Sequence, residues 1–125
     1  MNDLELKRER RRQSALERLG TNTPRCTVCG YDDPLALELH HIAGRAYGDE
    51  LVPVCRNHHR PLSDMQKDHP AAMTTPPSDL ECMGHFLLGL ADLFELLVNH
   101  IRDFATKLFA IDRQGQDRRG EDGGD

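Results

Sequence analysis

The chain predicts a small α+β fold in which a clasped strand–loop–strand–helix unit is flanked by an N-terminal helix and a long C-terminal amphipathic helix. Three observations support this. Two half-clamps, Cys26-Thr27-Val28-Cys29 and Cys55-Arg56-Asn57-His58, have the two-residue spacers of metal-ligand pairs and stand 25 residues apart. Between them, Leu35-Ala36-Leu37-Glu38-Leu39 alternates like a half-buried strand, and Leu51-Val52-Pro53-Val54 reads as a short return strand. Beyond them, apolar residues recur in steps of four and three from Met83 to Ile111, the period of a helix with one continuous seam.

Residues 1–20 form the first predicted element, a basic helix over 3–19 without Gly or Pro and with Gly20 as its stop. Its apolar positions are few (Leu4, Leu6, Ala15, Leu16, Leu19), so it needs a partner. Residues 21–69 are the clasped unit. In it Gly30 gives the tight backbone behind Cys29, Gly44 opens the loop between the strands, and Pro53 marks an edge strand. A short helix is expected from His58 to Lys67, with Pro61 in its first turn and Pro70 past its end. Residues 70–77 read as a proline-rich linker.

The helix over 78–111 opens on Ser78 and Glu81, the spacing of a capping box. Its seam is Met83, Leu87, Leu90, Phe94, Leu97, Ile101, Phe104, Leu108 and Ile111, widened by Phe86 and Leu93. It can pack on the N-terminal helix, on a second copy in a homodimer, or on both. Gly84 and Gly89 each cost about 1 kcal/mol inside a helix, which a close approach by a neighbouring backbone would explain. Glycines 115, 120, 123 and 124 among charged residues predict a disordered tail over 112–125.

With 125 residues the chain has length for one small domain and its appendages. The formal charge of −5 excludes indiscriminate adhesion to nucleic acid, yet residues 1–60 carry ten Lys or Arg against nine Asp or Glu. The run Lys7-Arg8-Glu9-Arg10-Arg11-Arg12 concentrates the positive charge, where it can meet phosphates or pair with Asp92, Glu95 or Asp103. No apolar leader follows the charged start, and the most apolar run, Phe86 to Val98, is broken by Asp92 and Glu95. A soluble, cytoplasmic protein with reduced thiols is therefore expected, with no membrane and no small-molecule organic cofactor.

Three thiolates and one neutral imidazole make a Cys₃His set, which closes a tetrahedral Zn²⁺ site, so Cys26, Cys29, Cys55 and His58 are the expected structural ligands. Cys82 lies outside the pattern and reads as a helix core residue. Three histidines near the clamps, His40, His41 and His59, are left over. A closed thiolate site does no chemistry, so these are the candidates for an open site. His69, His85 and His100 have no motif around them and read as surface or cap residues.

The stretch from Cys26 to His59, with Leu39-His40-His41-Ile42 and Leu51-Val52-Pro53-Val54-Cys55-Arg56-Asn57-His58-His59, resembles an HNH endonuclease domain of the ββα-metal (His-Me finger) type. The likeness covers a little over a quarter of the chain. It implies His41 as general base, His40 and His59 as ligands of a catalytic divalent metal such as Mg²⁺, a zinc clasp with His58 in place of the usual fourth Cys, and DNA as substrate. Glu50 stands where the family's middle Asn usually stands, and its carboxylate can orient an imidazole as that Asn carbonyl does. A neutral imidazole can take a proton from water while a divalent cation neutralises charge on a scissile phosphate. Arg45, Arg56 and Arg60 are the expected phosphate contacts. Consecutive strand residues face opposite ways, so His40 and His41 serve one site only where the strand twists or ends. The alternative reading is a non-catalytic zinc module that binds nucleic acid or protein.

Overall fold

The computed structural model describes residues 1–122. Helix α1 (Asp3–Leu19) starts on a capping box absent from the sequence reading. The Glu5 N–H donates to Asn2 Oδ1 at 2.8 Å, and the Asn2 N–H donates to Glu5 Oε2 at 3.2 Å. It ends at Gly20, whose φ of 75° lets its N–H reach Leu16 and Glu17 carbonyls. Only Ala15, Leu16 and Leu19 are buried on it, which leaves the basic run in solvent.

Strand β1 spans Leu37–His41, two residues later than the alternation suggests. Asp33 caps the N–H of Leu35 and Pro34 follows it, so Pro34–Ala36 winds into a 3₁₀ turn and Leu35 points to solvent. Strand β2 spans Leu51–Cys55 and pairs antiparallel with β1, from Leu37 opposite Cys55 to His41 opposite Leu51. Pro53 costs the sheet nothing because its carbonyl, and with it the missing N–H, faces Thr27 on the side away from β1. Helix α2 (Arg56–Gln66) begins directly after Cys55, two residues before the expected start.

Helix α3 runs from Asp79 to Asp122, so residues 112–122, expected as disordered, are helical, while 123–125 lie outside the described residues. Ser78 and Glu81 form its capping bonds as the spacing implies, at 3.2 and 3.3 Å. Among its described residues no helix of the protein is long and apolar enough to cross a membrane.

One small core gathers these elements. Cys26, Val28, Leu37, Val54, Cys55 and Leu62 supply its centre, Leu19 arrives from α1 and Leu93 from α3. Helix α3 packs on α2, and Gly89 explains how closely it approaches the sheet. A Cβ there would overlap the Ile42 carbonyl, whereas a Cβ at Gly84 would meet open space. The close-approach reading fits Gly89 and fails for Gly84. Asp92, considered as a partner for the basic run, instead bonds His69 at 2.7 Å. His85 is buried and stacks on Tyr47 with ring centroids 3.6 Å apart, so neither it nor His69 is a mere surface residue.

Candidate metal centre and histidine cluster

The Cys26–Cys29 turn is built by its own backbone. The N–H of Gly30 donates to the Cys26 carbonyl and the N–H of Cys26 to the Tyr31 carbonyl, both at 2.8 Å. Gly30 can close this turn because it tolerates a φ of 77°. Thr27 then ties the turn to β2, donating from its N–H and hydroxyl to the Pro53 carbonyl. The second half-clamp comes from the strand-to-helix junction, where Cys55 ends β2 and His58 lies in the first turn of α2.

These elements converge four ligand atoms. The three Sγ atoms and His58 Nδ1 all lie within 4.8 Å of one another. Cys29 Sγ is 3.9 Å from Cys55 Sγ, and Cys26 Sγ is 3.7 Å from His58 Nδ1. A tetrahedron with zinc–sulfur bonds of about 2.3 Å has edges of roughly 3.8 Å, so the set fits Zn²⁺. Among the described residues it is the only grouping of three or more His, Cys, Asp or Glu that can hold an ion.

The electrostatics of the clasp favour a cation. Burial pushes the Cys26 thiol up, but backbone N–H groups of Cys55, Cys29 and Val28 outweigh it and the net shift is down. Burial and the neighbouring Cys26 push the Cys29 thiol up to about 11, despite a bond from the Tyr31 backbone. One thiolate forms readily there, while the next needs positive charge at the centre. His58 is held below its ordinary value by burial and by His100, which keeps its imidazole neutral as ligation requires.

The leftover histidines are arranged differently. By strand alternation Glu38 and His40 share one face of β1, and α2 covers that face. His59 of α2 lies edge-on to His40, with ring centroids 5.3 Å apart, and its Nδ1 bonds the Glu38 carboxylate. Glu38 also holds Arg56 at 3.3 Å, and bonding to His59 keeps its carboxyl below the usual carboxylate range. His40 is buried, and burial, with His59 and His41 nearby, lowers its pKa to about 4. Gln66 donates to the His41 carbonyl at 2.8 Å and lies 3.4 Å from His40 Nε2.

His41 is the last residue of β1 and is half-buried, where His40 beside it is buried. Pleating turns its side chain away from the His40 face, and the strand gives way immediately afterwards to the turn at Gly44. The exposed Glu50 folds its carboxylate back against Gly48, and among the described residues no hydrogen bond joins it to a histidine. Arg45 lines an open cleft of about 310 Å³ with Tyr47, Gln66, His69 and His85, Arg60 is exposed on α2, and Arg56 is engaged by Glu38.

Sequence reasoning missed Glu38 and Gln66. Glu38 had a signal, since it precedes His40 by two residues and a strand puts such pairs on one face. Gln66 had none, because its role depends on how α2 crosses β1. No protein-family model, curated protein or solved structure matches the chain.

Proposed function

We propose that the chain is an HNH-type endonuclease that hydrolyses DNA phosphodiester bonds. The observation that carries this reading is the pairing of His40 with His59 across β1 and α2, directly beside the half-exposed His41, on a unit clasped by a Cys₃His set. In this reading His41, half-buried at the residue where β1 ends and its pleat gives way to the turn, takes the proton from the attacking water. His40 stays neutral because it is buried, which suits a metal ligand. Glu38 accepts a bond from His59 Nδ1–H and so leaves Nε2 as the ligating nitrogen, the carboxylate–histidine pairing that fixes tautomer and orientation at metal sites. A divalent metal such as Mg²⁺ would supply charge neutralisation on the scissile phosphate. Arg45 and Arg60 would hold flanking phosphates, and a cytoplasmic setting would keep the thiols reduced for zinc.

A second reading is a zinc-clasped module that binds nucleic acid or protein without cutting. The Glu50 carboxylate, which lies against Gly48 and among the described residues bonds no histidine, favours it. Supercoiled-plasmid nicking with Mg²⁺, Mn²⁺ or Ni²⁺ decides between them. The nuclease reading expects open circles from the wild type and at least about 100-fold slower nicking by His41→Ala. It fails if the wild type cleaves neither duplex nor single-stranded DNA with any of these metals, or if His41→Ala cleaves equally well.

A further inference from the structure

Helix α3 carries two distinct apolar faces, and the fold uses one. His85, Gly89, Leu93 and Leu96 turn toward the body, and the last side chain to approach it is His100, whose ring lies 6.1 Å from that of His58. At 100° per residue these positions centre roughly 100° around the helix from the heptad seam, with Leu93 at the border of the two faces. Most of the seam stays in solvent, Leu90 and Leu97 alone being half-buried. Ile101 is 58% exposed, Phe104 57%, Leu108 51% and Ile111 64%. Beyond His100 the helix continues to Asp122, and at 1.5 Å per residue this overhang is about 33 Å long, its large apolar side chains exposed among the described residues. An overhang that displays large apolar side chains in water is a surface in want of a partner.

We propose that the seam is the interface of a parallel, in-register two-stranded coiled coil formed by two copies of this chain. The steps of four and three assign Leu87, Phe94, Ile101 and Leu108 to position a of the heptad and Met83, Leu90, Leu97, Phe104 and Ile111 to position d. A period of 3.5 kept from Met83 to Ile111 is the pattern that keeps one helix facing another, and a flat apolar patch has no need of it. Area agrees. With roughly 100 Å² exposed on each large seam residue, one copy offers on the order of 700 Å², close to the ~800 Å² per partner of a stable interface.

Charge selects the orientation. In a parallel pair each g position meets the e position five residues on in the other helix, which brings Lys107 to Asp112 of the second copy, twice per dimer. Neither residue has an ion-pair partner within its own chain among the described residues. Antiparallel registers instead set Lys107 against Lys107, His100 or Leu93 of the second copy, none of which attracts it. The seam closes where Gly115 and Arg118 take the next a and d positions. Two bodies are then held side by side at the N-terminal end of the coil, a geometry that presents two histidine clusters to one partner. The dimer stands independently of whether those clusters cut DNA.

Sedimentation equilibrium of the full chain, with zinc content and circular dichroism read alongside, tests it. The wild type is expected to be a dimer. Ile101→Asp with Leu108→Asp, both beyond the body, should give a monomer that keeps its zinc. Lys107→Glu or Asp112→Lys alone should weaken association by about tenfold, and the two together should restore it. A wild type that stays monomeric at its highest soluble concentration overturns the proposal. A dimer unaffected by the seam substitutions, or one that the double charge swap fails to restore, overturns the interface or its parallel order.

Discussion

The Cys₃His clasp and the histidine cluster lie on the same short hairpin and helix, yet they are built by different means. The clasp takes each pair of ligands from one local turn, and the docking of Thr27 on the Pro53 carbonyl brings the two pairs together within 4.8 Å. The cluster takes single side chains from β1 and α2, and its geometry depends on strand pleat, on Glu38 and on the closeness of α3 at Gly89. A site made by local turns is robust and closed. One made by packing is adjustable and leaves positions open, as a reactive centre requires.

Breaking the clasp should have the largest effect. Cys55→Ser, or a strong zinc chelator, should unfold the body with a loss on the order of 10 kcal/mol, because the core is too small to hold by burial alone. Circular dichroism and tryptic protection of residues 21–69 would register it, and an unchanged melting curve would contradict it. Leu62→Ala, which empties the centre of the core beneath α2 without touching a ligand, should cost about 3 kcal/mol in a denaturant titration.

Glu38→Gln sharpens the contrast, since it touches only the cluster. If the proposed nuclease reading holds, it should lower divalent-metal affinity at His40 and His59 by about 10- to 100-fold in a calorimetric titration while leaving the zinc content unchanged. Loss of zinc in this variant would show that the two sites are one. The smallest effects are a pair of opposite sign. Gly89→Ala should destabilise by about 1–3 kcal/mol through overlap with the Ile42 carbonyl, and Gly84→Ala should stabilise by about 1 kcal/mol through helix propensity. Thermal unfolding with both signs alike would sink this account of the α3 approach.

The two regions also differ in how far sequence reveals them. Cys26, Cys29, Cys55 and His58 were legible because their chemistry is written in two-residue spacers. The capping residues Ser78 and Glu81 and the glycine stop at Gly20 were legible for the same local reason. The start of β1 was misplaced because Leu35 and Leu37 alternate alike, and only the Asp33 cap followed by Pro34 separates turn from strand. Helix α3 was ended too soon because Gly115 and Gly120 weigh as breakers, while charged helix formers around them carry the helix on to Asp122. The burial of His85 against Tyr47 and the grip of Gln66 on β1 arise from tertiary packing, which leaves no periodic trace.

The central claim is that the clasp and the cluster are separate, the first holding the fold and the second free for other work. Native mass spectrometry of wild type, Cys55→Ser and His59→Ala, counting zinc per chain, tests it most directly. One zinc in the wild type, none in Cys55→Ser and one in His59→Ala is the expected result. A wild type without zinc, or a His59→Ala chain that loses it, would contradict the account.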